Sequence, residues 1–314
     1  MEKKVLCAGL LVGDFISKPV ATMPERGKLT LVEKSELHVG GCAANTGLVL
    51  KRLGGKVAIL GKVGEDNLGR FILRILQESG IETEAVKTIP GVTTSGTSVL
   101  VHPDGERSFI HSLGANALLS DEDFEEKYIE QFAILHLAGV LLMPRLEGES
   151  LTKVVKKAKS LGVTVCLDTA WDSRGVWMKA LKGALSYVDY FLPSIEEARM
   201  ITGCQTPEEI ALYLLDCGVE NVALKMGEKG SFIMNRQTKR YFPVLPIEVV
   251  DTTGSGDGYV AGFLAGLLRN LPFESCGLLG NLAGAKIATA IGANSGIASW
   301  EDLLAFGEKY GCSL

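Results

Sequence analysis

The sequence predicts an α/β fold, a mostly parallel sheet flanked by helices, with a small β-sheet set apart from it. Three observations carry this. From Val57 onward, short apolar runs of strand length alternate with segments of helical period, the pattern of successive strand–helix–strand units. Two stretches, residues 15–38 and 92–112, interrupt the alternation and have strand or loop character without a helical period. Residues 247–268 run as an apolar strand end, a turn of small residues and a long apolar helix.

In chain order, residues 5–11 form a short apolar strand closed by Gly13-Asp14. A polar acceptor at the C-terminal end of a strand stands where open α/β sheets bind ligands; Asp14 would serve equally as a turn residue. In residues 15–38, Pro19, Pro24 and Gly27 break any helix, and Leu29, Leu31, Glu33 and Leu37 alternate only in part. Gly40-Gly41 precede a helix over about 42–53, with Ala44, Leu48 and Leu53 on or near one face. Two glycines let the backbone approach a ligand, or a helix approach a sheet. Asn45, in the first turn, can donate to and accept from hydroxyls. Residues 95–101 and 106–111 flank Asp104-Gly105, a hairpin signal.

Further strands are predicted at 57–63, 134–137, 163–167, 187–192 and 219–224, and helices at 67–79, 148–161, 177–183, 194–202, 207–217 and 278–291. Ser194 and Glu197 have the spacing of a capping box. Asp168 closes a strand, and Lys225-Met226-Gly227-Glu228-Lys229-Gly230 joins two. The loop Gly292-Ala293-Asn294-Ser295-Gly296 follows the Ala-rich helix.

The turn at 251–257 carries the chemistry. A helix that starts after a glycine turn points free N–H groups and the positive end of its dipole at that turn, a geometry that binds an anion, most often phosphate. A carboxylate beside a phosphate weakens ground-state binding. Asp257 therefore makes chemical sense as the group that takes a proton from an attacking hydroxyl. Alone it would read as a helix cap; beside Asp251, two Thr and two Gly the functional reading is favoured. No Lys follows Gly256, so this is not a Walker A loop, and the protein-kinase motifs are missing.

The 314 residues can bury a large core, and 46% hydrophobic with 22% charged residues suits a soluble globular chain. A net charge of −5 argues against a nucleic-acid partner, and no apolar run is long enough for a membrane span. The first ten residues faintly mimic a signal peptide, but the apolar part soon meets Asp14, so a first strand is favoured. Seven Cys without a C-x-x-C pair argue against a disulfide framework or a zinc site and fit reduced thiols in a cytoplasm. His38, His102, His111 and His136 show no metal spacing.

Asp251-Thr252-Thr253-Gly254-Ser255-Gly256-Asp257 closely resembles the second signature of the ribokinase-like (PfkB) carbohydrate kinases. Val39-Gly40-Gly41-Cys42-Ala43-Ala44-Asn45-Thr46-Gly47, continuing to Arg52-Leu53-Gly54-Gly55, resembles the first, and Gly61-Lys62-Val63-Gly64-Glu65-Asp66-Asn67-Leu68-Gly69 resembles the family's G-x-x-G-x-D-x-x-G run. The matches come in family order over nearly the whole chain, which looks nearest to uncharacterised bacterial sugar kinases.

The resemblance implies one kinase domain over 1–314, with a lid formed by about 15–38 and 92–112 that can also make a homodimer contact. It implies transfer of phosphate from ATP, with Mg²⁺, to a sugar-like alcohol. Asp14, Gly40, Gly41 and Asn45 would hold the acceptor. Asp257 would be the base, with Gly254, Ser255 and Gly256 as the anion hole. Glu197 would organise Mg²⁺ through water, with Ser194 standing where the family has Asn. Lys225, Gly227 and Gly230 would wall the nucleotide pocket, and Asn281 and Ala285 the adenine. Asp251, Thr253 and the loop 292–296 correspond to a K⁺ site in many relatives. The family's Asn-x-Arg-x-x-Leu-Trp run is poorly matched by Asp172-Ser173-Arg174-Gly175-Val176-Trp177. Arg107, Arg145 and Arg174 are candidate partners for an acidic acceptor. Two other readings stay open: a nucleoside kinase, with Phe15, Phe109 or Met143 as a base clamp, and a non-catalytic sensor of sugar or nucleotide.

Overall fold

The computed structural model describes residues 3–103 and 106–312. The chain runs β1 (Lys4–Gly9), β2 (Val12–Lys18), β3 (Lys34–Gly40), α1 (Cys42–Arg52), β4 (Lys56–Gly64), α2 (Asn67–Glu78), β5 (Glu82–Ile89), β6 (Gly96–Val101), β7 (Arg107–Ser112), α3 (Glu126–Ile129), β8 (Ile134–Val140) and α4 (Glu149–Ser160). It continues through β9 (Thr164–Thr169), α5 (Trp177–Leu181), β10 (Tyr190–Phe191), α6 (Ile195–Thr202), α7 (Pro207–Asp216), β11 (Asn221–Lys225), β12 (Ser231–Met234), β13 (Lys239–Phe242), α8 (Ser255–Leu268), α9 (Phe273–Ile287) and α10 (Trp300–Lys309).

The main sheet has the order β13-β12-β11-β10-β9-β8-β1-β4-β5. It is parallel except where β12 and β13 are added antiparallel at one edge. Strands buried on both faces read as continuous apolar runs, and β1 is such a strand. Leu6 and Ala8 enter the core layer that holds Val154, Ala198 and Leu214. Val5 and Cys7 enter the opposite layer with Leu48, Ile72, Phe263 and Leu279. One layer is thus built by α4, α6 and α7, and the other by α1, α2, α8 and α9.

The small sheet has the order β3-β2-β6-β7 and draws on both predicted stretches. The hairpin expected around Asp104-Gly105 has its strands, β6 and β7, paired antiparallel with Val101 opposite Arg107; the turn residues lie outside the described residues.

Three sequence expectations need correction. The first apolar run is two strands. After Gly9 the Leu10 N–H bonds the Ala138 carbonyl (3.3 Å), and both backbone groups of Leu11 bond the Asn116 side chain (3.2 and 3.0 Å). The chain then crosses to the small sheet, so Asp14 lies inside β2 opposite His38 and Thr97, not at the end of a main-sheet strand. Residues 247–250 form no strand: the Ile247 N–H turns back to the Leu245 carbonyl (2.9 Å) and the chain bends at Val250. The sheet ends at β13, and this segment runs along α9 instead, Val250 donating to the Ala288 carbonyl (2.8 Å). The strand expected at 187–192 shrinks to β10, because 185–187 coil into a 3₁₀ turn.

Candidate active site

Gly254 precedes α8 with φ +75°, and a Cβ there would lie 1.8 Å from the Ala293 carbonyl oxygen. Only glycine fits both the left-handed conformation and that contact. The turn therefore nests against the 292–296 loop. The Ser255 N–H closes it by bonding the Thr252 carbonyl (3.1 Å). Among the described residues, the N–H groups of Gly254 and Gly256 make no such backbone bond. The buried Ser255 hydroxyl has no partner either. Two backbone donors, one hydroxyl and a helix N-terminus converge, which suits an anion.

Asp257 lies in the first turn of α8. Its Oδ2 accepts from Asn45 Nδ2 on α1 (2.8 Å). Burial pushes the Asp257 carboxyl up, while the Asn45 bond and the Lys225 charge pull it down. Asn45 is only 4% exposed, and its Oδ1 accepts from Asn294 Nδ2 (3.2 Å). That bond fixes which end of the Asn45 amide faces Asp257. Asn294 was not foreseen.

Toward the small sheet, a Cβ on Gly40 would fall 1.9 Å from Asp14 Oδ2, so this glycine gives the Asp14 carboxylate its room. Burial pushes the Asp14 carboxyl up to about 6, opposed by the Thr97 hydroxyl and reinforced by Asp257. Gly41 caps α1. Asp14, Gly40, Gly41 and Asn45 thus gather on one side of the turn.

The other side opens on a cavity of about 620 Å³, within the range of small-molecule sites. All seven residues that the resemblance gives to the nucleotide and its Mg²⁺ line it, Ser194, Glu197, Lys225, Gly227, Gly230, Asn281 and Ala285, together with Ser255 and Gly256. Its apolar wall, Val244, Leu245, Ile247 and Val249, was missed. The available signal was a run of β-type residues that no neighbouring strand claims, with Val249 59% exposed.

Ser194 caps α6 in the foreseen capping box. Glu197 Oε2 accepts from the Ser194 N–H (3.0 Å) and the Thr169 hydroxyl (3.0 Å). Its carboxylate is fixed at the cavity edge, and an oxygen donor there suits Mg²⁺ approached through water. Among the described residues no group of three His, Cys, Asp or Glu could grip a metal directly.

Lys225 Nζ forks onto both oxygens of buried Asp168 (2.7 and 2.8 Å). Burial works against the Lys225 cation, but Asp168, Glu197 and Asp257 raise its pKa. The ammonium stays charged beneath the turn, 3.7 Å from where a Gly256 Cβ would lie. The Asn281 amide is anchored by accepting from Ser231 Oγ (3.2 Å) and donating to the Pro243 carbonyl (2.9 Å), which leaves one N–H and one lone pair over.

Asp251 bridges two loops, accepting from the N–H groups of Thr253 (2.8 Å) and Gly292 (2.9 Å). Arg107, from β7, pairs with its Oδ1 (2.5 Å) and also bonds the Thr253 hydroxyl. Arg174 is an exposed arginine whose guanidinium is already engaged, bonding the Leu141 carbonyl (2.7 Å) and pairing with Glu147 and Asp172. Arg145 is exposed. Met143 is fully buried in the core, which removes it as a base clamp. His136 is buried in mid-sheet between Cys7 and Cys166, and burial depresses its pKa to about 3.

The model of the pfkB family carbohydrate kinases matches residues 2–300. A 2-dehydro-3-deoxygluconokinase of Bacillus subtilis is 27% identical, covering 90% of each chain. An uncharacterized sugar kinase of Archaeoglobus fulgidus is 31% identical over 79% of this chain and 97% of its own. The solved structure of Arabidopsis thaliana ribokinase complexed with ribose and ATP superposes with a TM-score of 0.84 at 24% identity, covering 98% of this chain and 99% of that one.

Proposed function

Because this chain belongs to the pfkB family of carbohydrate kinases, it is a phosphotransferase, and we propose that it moves the γ-phosphate of ATP to a hydroxyl of a neutral sugar with Asp257 as the general base. One observation carries the reading. The 254–257 turn separates an acceptor-side cluster from a nucleotide-sized cavity, and Asp257 is bonded to the acceptor side through Asn45 (2.8 Å).

The acceptor hydroxyl lies against Asp14 and Asn45, within reach of Asp257. As the hydroxyl attacks, its proton passes to the Asp257 carboxylate. The N–H groups of Gly254 and Gly256 and the Ser255 hydroxyl receive the charge that develops on the transferred group. Lys225, kept cationic by Asp168, supplies a positive field under the same turn. Glu197, held by Ser194 and Thr169, would hold Mg²⁺ through water. Mg²⁺, when bound, neutralises phosphate charge and orients the leaving group.

A neutral acceptor is favoured because Asp14 and Asp257 give this side a negative charge, while Arg107 and Arg174 are already paired with carboxylates. We read the small sheet as a lid on one domain and as the contact of a homodimer. The seven free thiols support a reducing, cytoplasmic setting.

The test is ADP release with Mg²⁺-ATP over a panel of neutral sugars, sugar acids and nucleosides. A neutral sugar should turn over, and Asp257→Asn should lose about 10²–10⁴ in kcat. Near-native turnover in a folded Asp257→Asn protein would sink the assignment, and a strict preference for a sugar acid or a nucleoside would displace the neutral acceptor.

A further inference from the structure

The resemblance reserves Asp251, Thr253 and the 292–296 loop for a potassium ion, but here those residues engage an arginine. Arg107 reaches across from β7 to Asp251 Oδ1 (2.5 Å) and the Thr253 hydroxyl. The pair is shielded, with the Arg107 and Asp251 side chains 16% and 14% exposed. The other bonds to the Asp251 carboxylate come from the Thr253 and Gly292 N–H groups. A second guanidinium, from Arg52, takes the Asn294 carbonyl on the same loop. A monovalent cation wants this carboxylate and these backbone oxygens. It would meet a fixed like charge beside the first and a competitor at the second.

Asp251 ties together the two loops that abut at Gly254 and Ala293, where a single added carbon would clash. The neutralised carboxylate therefore sets the spacing of the turn that carries the phosphate donors. The donor of that neutralising charge rides on the small sheet, so its arrival depends on that sheet lying over the site.

We propose that Arg107 is the resident cation of the catalytic turn: it takes the place of a monovalent metal ion and makes turnover independent of K⁺, while coupling the small sheet to the anion hole. The inference rests on the kinase reading for its turnover arm only.

The experiment has two readouts, turnover by ADP release and melting temperature, each in KCl, NaCl and choline chloride at equal ionic strength. Wild-type protein should behave alike in all three salts. Arg107→Ala should lose about tenfold or more in kcat, the scale of a charge-assisted hydrogen bond. KCl should restore part of it and raise the melting temperature of that variant above the value in NaCl. Arg107→Lys, which keeps the charge, should stay indifferent to the salt; if Arg107→Ala fails to fold, the wild-type and Arg107→Lys salt series decide alone. A saturable, K⁺-specific rise in wild-type turnover or melting temperature overturns the proposal. So does an Arg107→Ala protein with unchanged kcat in every salt. Should no acceptor turn over, the kinase reading fails while the melting series still judges Arg107.

Discussion

At the scale of single residues, the site concentrates negative charge where a fold alone would not. Asp14 is held at about 6 against an ordinary 3.8, so its ionised form is disfavoured by folding. The folded state then binds the proton more tightly than the unfolded chain, and stability falls as pH rises from about 4 to about 6. Above that range the cost is fully present; below it, it vanishes. Asp14→Asn should therefore melt higher than wild type at pH 8, by about 2–4 °C for each kcal/mol relieved, and equally at pH 4, while the KM for the acceptor rises. A variant that melts lower at pH 8 would show that Asp14 stabilises the fold.

Residues of this kind were legible to different degrees. Asp257 and Gly254 stand in a compact motif whose spacing suggests a phosphate turn, whereas Asn45 was singled out only through the family resemblance. Asp14 was singled out, but its placement at a strand end was wrong, because the break after Gly9 depends on Asn116, which holds Leu11 from 105 residues downstream. Asn294 and the ion pair of Arg107 left no local trace. Each acts on a partner more than a hundred residues away, and nothing in the neighbouring sequence encodes that meeting.

At the scale of elements, boundaries were read well where the signal is a cap. α2 starts where Asp66 accepts the Gly69 N–H (2.7 Å), and α6 and α7 start at the capping boxes of Ser194 and Thr206. They failed where a neighbour decides, as at 247–250, whose β-type residues find no strand to pair with. The turn into α8 combines both kinds of information. Gly254→Ala would place a methyl group against the Ala293 carbonyl in a left-handed backbone, at about 1–2 kcal/mol for the backbone alone. The expected result is a lower denaturation midpoint and a kcat that falls more than stability would account for, since the phosphate donors and Asp257 shift together. Near-native kcat would mean that the turn tolerates a spacing looser than the one argued.

At the scale of the whole molecule, the main sheet buries both faces, and the small sheet leaves one open. Phe109 and Ile110 on β7, and Met23, Leu29 and Leu31 on the connection between β2 and β3, are exposed, Leu31 by 86%. We read these exposed apolar side chains as part of the dimer contact proposed above. Sedimentation should find a dimer, and the pair Leu31→Lys and Phe109→Lys should shift it to monomer with the fold intact. A wild-type monomer at high concentration would remove the dimer reading.

The bond between Asn45 and Asp257 joins residues 212 positions apart, and this has a consequence for biogenesis. The ribosome delivers Asp14, the small sheet and Asn45 long before Asp257 exists. Until α8 and α9 emerge, α1 lacks the layer that shares its core, Val260, Phe263, Leu264 and Leu279, and the apolar side of the nascent chain stays uncovered. Chaperone engagement should therefore persist into the last fifth of translation. A message truncated before the Gly292-to-Gly296 loop should yield a chain that is held and degraded and never acquires partial activity.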